Sequence, residues 1–595
     1  MNYSEIANAY EKIEATTKRL EMTSLLVDLL KKTPKDVIDK VVYLTQGKLY
    51  PNFISLQIGV AEKSAIKAVV RASGRTETEV KTDLRKTGDI GETAQNLLLK
   101  RKQSTFSQKA LTVQRAYETL DKMARTSGSG TVETKMALLC GLLTDASPKE
   151  AKYILRTVTG KLRLGIADMT VLDALAIAYG GGKEAREQLE RAYNISSDLG
   201  RVASTVVEKG LTGIQKFKVA IFEPIRPMLA ERLSDPEEIL DKFGGKCMVE
   251  YKYDGERIQA HKKGSKVVLY SRRLDNITSQ YPDAADLVRD NVKLEEAIIE
   301  GECVAVVVET GEMRPFQELM HRRRKYGIEE AIKEYPVSLY LFDAMLIGEK
   351  DLTLSPYLER QKELEGALKE KDARLCTAKH KLVNNVKDLL DFFDEAIADG
   401  CEGVVCKAVG KEAIYQAGAR GWLWIKYKRD YKSEMKDTVD LVVVGALYGR
   451  GRRAGAYGAL LLASYNKEGD VFETVTKLGT GFTDKDLREI PEMLRKHEIP
   501  KKHPRVRSIM NADVWFEPAV VLEVLGAEIT LSPIHTAAMN SIRKGGGLAI
   551  RFPRFTGNYR TDKAPEDATT SAEILEMYRS QLKRISEEVT TAAKT

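Results

Sequence analysis

The spacing of apolar residues changes twice along the chain. From residue 1 to about 221, apolar positions recur at i, i+3 and i+4, as in "YSEIANAYEKIEATTKRLEMTSLLVDLLKK", "ETAQNLLLKRK", "LTVQRAYETLDKMAR", "VETKMALLCGLLTDA" and "SPKEAKYILRTV". That period predicts an all-α region. Ser147, Pro148 and Glu150 make a helix start, because a hydroxyl can cap, proline fits the first turn and a glutamate can close the box. "TGDIGE" (Thr87 to Glu92) and "TSGSGT" (Thr126 to Thr131) read as connecting loops. At "FEPIRPMLAERL" (Phe222 to Leu233) two prolines end the helical series. The runs that follow, "CMVEYKY", "RIQAHKK", "KVVLYSRR", "AIIEGECVAVVV", "VSLYLFDAMLI", "EGVVCKA" and "WLWIKYKR", are strand-like, with helical stretches such as "DLLDFFDEAIADG" between them. Residues 222–431 are therefore expected to form an α+β domain with mainly antiparallel pairing.

From residue 432 the strands shorten and glycine-rich turns separate them: "TVDLVVVGALYG", "GALLLASYN", "VFETVTKLG", "AVVLEVLGAEIT" and "GLAIRFPRF". This spacing suits a small β-barrel of the oligonucleotide-binding kind, the OB-fold, over 432–595. The tail "SAEILEMYRSQLKRISEE" reads as a helix. Three domains also follow from length, since 595 residues exceed what one hydrophobic core holds.

Composition narrows the setting. Hydrophobic residues make up 43% and charged residues 30%, an ordinary globular balance. No apolar run reaches the roughly 18–20 residues of a membrane span. The N-terminus lacks a basic start followed by an apolar block, so a cytoplasmic location is expected. None of the six cysteines forms a Cys-x-x-Cys pair and no histidines cluster near them, which argues for reduced thiols rather than structural zinc. A net charge of +8 allows a polyanionic partner without naming one. Two basic runs are candidates for nucleic-acid phosphates: "HRRRKYG" (His321 to Gly327) and "YGRGRRAGAYG" (Tyr448 to Gly458). The second lacks the Lys-Ser/Thr ending of a P-loop.

The candidate chemistry lies in "MVEYKYDGER" (Met248 to Arg257). Alternate side chains of a strand share a face, so Glu250 and Lys252 point one way and Tyr251 and Tyr253 the other. Asp254-Gly255 turns the chain, and Arg257 returns toward the same place. A lysine partly removed from water beside other cations has its neutral, nucleophilic form favoured. Taken alone, Lys-x-Asp-Gly also describes a surface strand end with a salt bridge.

The companions of Lys252 arrive in order. "SRR" (Ser271 to Arg273), Glu302 in "EGECVAV", Phe342 and Asp343 in "LYLFDAM", "EGVVCK" (Glu402 to Lys407) and "WLWIKYKRDY" with Lys426 and Lys428 follow it, with Arg420 six residues before Lys426. This series resembles the covalent lysine nucleotidyltransferases: ATP-dependent DNA ligases, RNA ligases and mRNA capping enzymes. "TSGSGTVETKMALL", "KLRLGIADMTVLDALA" (Lys161 to Ala176) and "IHTAAMNSIRKGGGLAIRFPRF" resemble the flanking domains of archaeal and eukaryotic replicative DNA ligases. The resemblance implies an ATP-dependent DNA ligase of the archaeal type, acting as a monomer in replication, repair and recombination. An RNA ligase or capping-type enzyme is the alternative, and a catalytically silent DNA-binding scaffold a third reading. The resemblance further implies that Lys252 carries AMP. Glu250, Arg257, Arg272, Glu302, Phe342, Arg420, Lys426 and Lys428 would hold the nucleotide. Glu302 and Glu402 would bind Mg²⁺, with Mn²⁺ as an alternative. Arg560, Asp562 and Lys563 in "YRTDKAPEDATT" would meet the leaving pyrophosphate, after which the C-terminal domain swings about a hinge near Lys428 to Lys432. The implied partners are nicked double-stranded DNA and a sliding clamp, the latter at Gln103 and Phe106 of "RKQSTFSQ".

Overall fold

The computed structural model describes the chain except residues 101–109, 129, 307–312, 315, 325, 370–373, 429–437, 450–456, 527, 533, 543, 552 and 581–595. Gln103 and Phe106, the hinge beyond Lys428, most of the "YGRGRRAGAYG" run and the end of the C-terminal tail thus lie outside the described residues. The chain divides into two compact units: Met1–Ser73 with Leu98–Arg429, and Gly74–Leu97 with Asp430–Thr595.

Among the described residues up to Ile214 every regular element is a helix, as the periodicity predicts. The opening run forms two helices, Tyr3–Glu14 and Arg19–Lys32. Tyr10 meets Tyr153 edge to face at 5.4 Å, and Glu14 pairs with Lys152 and Arg156 at 2.9 and 3.0 Å, tying the first helix to Pro148–Val158. The Ser147 hydroxyl caps that helix by accepting from the Glu150 amide. "TGDIGE" is shorter than a loop. Helix Glu77–Thr87 ends on Gly88 at φ 61°, and Asp89 caps the next helix by accepting from the Gly91 and Glu92 amides at 2.8 and 3.0 Å.

The α+β region holds two sheets. Its strands are Leu229–Arg232 (β1), Cys247–Lys252 (β2), Glu256–Lys263 (β3), Lys266–Ser271 (β4), Glu296–Ala305 (β5), Val337–Ile347 (β6), Lys350–Asp351 (β7), Leu375–Thr377 (β8), His380–Val383 (β9), Gly403–Lys407 (β10) and Arg420–Lys428 (β11). One sheet runs β1-β11-β10-β2-β9, the other β4-β3-β5-β6-β7 with β8 beside β6. Pairing is antiparallel except for β1 with β11 and β8 with β6. Helix Val386–Ala398 buries Leu389 and Phe392 against Val249 and Tyr251 of the first sheet. Helices Pro282–Asn291 and Tyr357–Ala367 contribute Leu287, Val288 and Leu364 to the core of the second. Because β2 belongs to one sheet and β3 to the other, the Lys252–Gly255 turn bridges the two.

An ion pair with both partners fully buried, Arg360 with Asp343 at 2.7 Å, joins helix Tyr357–Ala367 to β6. Arg360 also donates to the Ser355 and Ala413 carbonyls, both at 2.8 Å. Truncating one member of such a pair strands the other charge, which costs about 3–5 kcal/mol. Arg360→Ala is therefore expected to lose that much in urea unfolding; a loss under ~1 kcal/mol would contradict the argument.

In the second unit, Val439–Tyr448 (β12), Tyr457–Asn466 (β13), Val471–Leu478 (β14), Glu498–Ile499 (β15), Val506–Arg507 (β16), Val514–Phe516 (β17), Val521–Leu525 (β18) and Arg554–Tyr559 (β21) form one sheet, with β18 bonded to both β12 and β21. Glu528–Ser532 (β19) and Gly547–Arg551 (β20) make a separate antiparallel pair. Every strand run read from sequence after residue 432 is present, with "AVVLEVLGAEIT" split into β18 and β19. Residues 571–580 continue as helix.

Candidate active site

Strand register builds the site. Directly opposite residues of antiparallel strands share a face. Across β2, β10 and β11 three rungs result: Lys252, Gly403 and Lys428; Glu250, Val405 and Lys426; Met248, Lys407 and Trp424. Tyr251 and Tyr253 lie on the other face in the core, where Tyr253 stacks on Tyr340 at 4.0 Å. The alternation expected of "MVEYKY" is thus present.

Two glycines let the backbones close up. A Cβ on Gly255 would collide with the Cys303 carbonyl and come within 2.9 Å of the Glu302 side chain. Gly403 has φ +140°, and a Cβ there would strike the Tyr427 carbonyl and lie 2.8 Å from Lys428 Cα.

The lysine has a partner that strand spacing does not reveal. Lys252 Nζ lies 2.6 Å from Glu402 Oε2, and Lys428 Nζ pairs with the same oxygen. Burial alone would raise the Glu402 carboxyl; the two ammoniums overcome it and hold it well below the usual carboxylate range. Asp254 moves the other way, raised by burial and by the Glu402 carboxylate beside it. Burial pushes Glu302 up to about 8 against the pull of Lys252 and Arg257. Lys426 is lowered by burial and then by Arg420, Lys428, Lys252 and Arg272 around it, a concentration of cations that suits a polyphosphate. All of these residues line one cleft of about 1770 Å³, together with Glu250, Arg257 and Phe342.

Glu250 is 2% exposed, and its side chain is held twice: Lys407 Nζ lies 2.6 Å from Oε2, and the Tyr357 hydroxyl donates to Oε1. Lys407 also donates to the Phe342 carbonyl at 2.9 Å and sits 4.4 Å from the Trp424 ring centroid. Arg257 pairs with buried Glu300 at 2.7 Å and lies 5.3 Å from the Phe342 ring, so its charge is already compensated within the fold. Phe342 is half-buried with Trp424 edge-on at 6.2 Å. Sequence reasoning passed over Lys407, Tyr357, Trp424 and Glu300. Strand parity from Val405 would have found Lys407; nothing local marks Tyr357.

Among the described residues no three His, Cys, Asp or Glu side chains form a ready-made metal cage. Mg²⁺ usually takes one or two carboxylates plus substrate phosphates and water, and Glu402 and Glu302 are donors of that hard-oxygen kind.

One expected feature differs from its reading. In "HRRRKYG", Arg322 is buried and pairs with Asp283 at 2.5 Å, and Arg323 pairs with Glu256. These charges hold the fold together and are not a free phosphate patch. Arg560 and Lys563 each bond Asp440 Oδ2, at 2.7 and 2.6 Å, and Arg560 also pairs with Asp562 at 2.7 Å. All six cysteines are free thiols, and among the described residues no helix is long and apolar enough to cross a membrane.

Comparison with known proteins gives this arrangement its context. Residues 2–176 match a family model described as DNA ligase N terminus, 227–428 the ATP dependent DNA ligase domain, and 453–563 the ATP dependent DNA ligase C terminal region. The chain is 57% identical over 588 residues to DNA ligase 2 of Thermofilum pendens, covering 98% of each chain. It is 54% identical over 599 residues to the DNA ligase of Staphylothermus marinus, covering 99% of this chain and all of that one. A solved structure titled Pmar-Lig_PreS3 superposes over 93% of this chain and 99% of its own with a TM-score of 0.52; at 17% identity that likeness shows the fold alone. The helical N-terminal region, the nucleotidyltransferase domain around Lys252 and the C-terminal β domain occur in one order in chain and family models alike, and with relatives matched end to end, the chain belongs to the ATP-dependent DNA ligase family.

Proposed function

We propose that this ligase seals nicks in double-stranded DNA through an adenylate carried on Lys252. The observation that supports it most is the lysine at the end of β2, inside a cleft whose floor gathers Lys426, Lys428, Arg420 and Arg272. In the first step the Lys252 amine attacks the α-phosphorus of ATP; a P–N bond forms, the P–O bond to pyrophosphate breaks, and the amine proton leaves. In the second, an oxygen of the nick's 5′ phosphate displaces the lysine and takes the AMP. In the third, the 3′ hydroxyl attacks that phosphate, loses its proton and expels AMP. Each is an in-line displacement, so placement and charge stabilisation do most of the work. Lys426 and Lys428 face the α-phosphate. Phe342 and Trp424 flank the base pocket, and Glu250, fixed by Lys407 and Tyr357, offers carboxylate oxygens to the adenine edge. Glu402, with Glu302, would hold Mg²⁺, which when bound neutralises phosphate charge.

In this reading residues 1–221 bind DNA, 222–431 adenylate, and 432–595 form an OB-fold domain that brings Arg560, Asp562 and Lys563 to the pyrophosphate. Cations are needed there only while pyrophosphate leaves. Lys563→Ala should therefore slow self-adenylation strongly and leave sealing of a pre-adenylated nick nearly normal; equal loss in both single-turnover assays would refute that role.

A clamp partner at Gln103 and Phe106 belongs to the same proposal. Phe106→Ala should abolish capture by an immobilised sliding clamp, and equal capture of both proteins would end it.

The deciding experiment is intact mass after incubation with ATP and Mg²⁺, then sealing of nicked DNA beside nicked RNA. A chain that never gains one AMP, or that prefers RNA, is not the enzyme described.

A further inference from the structure

Asp440, second residue of β12, carries no role in the reading above, yet the Arg560–Lys563 pair is built around it. One carboxylate oxygen, Oδ2, accepts from Arg560 Nη1 at 2.7 Å and from Lys563 Nζ at 2.6 Å. Asp440 is itself fixed. Its amide donates to the Thr569 hydroxyl at 3.0 Å, its carbonyl accepts from the Thr569 amide at 2.9 Å, and its side chain is 10% exposed. The turn carrying the cations is anchored to the same sheet, since the Arg560 amide donates to the Val521 carbonyl at 3.0 Å and β18 pairs with β12. Asp562, by contrast, is 64% exposed and touches only Arg560 of the pair.

Two like charges on one turn repel and, on long flexible side chains, spread apart. A shared acceptor brings both donors to a single oxygen, the spacing at which they can also meet one phosphate oxygen. Lys563 uses one of its three donors on Asp440, so others stay available. We infer that Asp440 is the positioning residue of the Arg560–Lys563 pair, setting the separation at which the two cations receive the pyrophosphate leaving group. This rests on the proposed role of those cations in the first step.

The test uses the full-length enzyme and four proteins: wild type, Asp440→Asn, Asp440→Glu and Lys563→Ala. Single-turnover self-adenylation is followed against ATP concentration, beside sealing of a pre-adenylated nick. Asp440→Asn keeps the shape and removes the charge. It should lower the maximal adenylation rate by about 10–100-fold, the scale of one lost charge-assisted contact, with a smaller change in half-saturating ATP. Sealing of the pre-adenylated nick should stay within about twofold, which also certifies the fold, and Asp440→Glu should recover part of the adenylation rate. If Lys563→Ala loses adenylation and Asp440→Asn does not, the inference fails while the reading of the cations stands. If neither loses it, that reading fails. Equal loss of both steps by Asp440→Asn, whether from misfolding or from a DNA role, or no recovery by glutamate, also overturns the inference.

Discussion

Lys252→Ala is expected to gain no AMP and to seal no nick from ATP, while melting within a few degrees of the unaltered protein. The side chain lies in the cleft at the end of β2, a quarter exposed, so its removal opens no core cavity, and the fold has no reason to suffer. Lys252→Arg should fail as completely. Its guanidinium would still pair with Glu402, yet it remains charged at any accessible pH and has no lone pair to offer phosphorus. The two variants together separate the counterion of Glu402 from the nucleophile: arginine retains the first and lacks the second. Intact mass after ATP and Mg²⁺, with thermal melting alongside, checks it. AMP on either variant would move the nucleophile elsewhere.

The second large effect is expected at Glu402. This carboxylate is the shared partner of Lys252 and Lys428, and it also raises the neighbouring Asp254. In Glu402→Ala the two ammoniums lose the anion that holds them together, and a hard oxygen donor for the divalent cation disappears. Self-adenylation should fall by roughly 10²–10³, about 2.7–4 kcal/mol of transition-state stabilisation, the scale seen when one well-placed electrostatic group is removed. Single-turnover labelling at saturating ATP measures it. A fall of less than tenfold would place Glu402 outside the chemistry.

The contrast between Lys252 and its partners shows what a sequence displays and what it withholds. Lys252 was legible because strand alternation and an Asp-Gly turn are local, and both survive in β2 and the turn after it. The pairing of Lys252 with Glu402 was not, since 150 positions separate them and only the β2–β10 register brings them together. Arg322 misled for the same reason. Three arginines in a row look like a patch for phosphates until Asp283, 39 residues earlier, is found beneath one of them. "TGDIGE" looked like a loop because its glycines and polar residues also serve as a helix end and a helix cap. In the second unit the strands were plain from their spacing, but the Asp440 carboxylate beneath Arg560 and Lys563 was invisible, because a lone aspartate opening a strand carries no periodic signal. The family resemblance supplied the roles; register and burial supplied the contacts.

Gly403 has one more consequence. It has no functional group to offer a substrate, yet any side chain there would push β11 away from β10 and carry Lys428 from the lysine it faces two strands over. A saturating mutational scan of ligase activity will therefore score position 403 as intolerant as position 252. A map of such scores, read without coordinates, would count a missing methyl group among the catalysts.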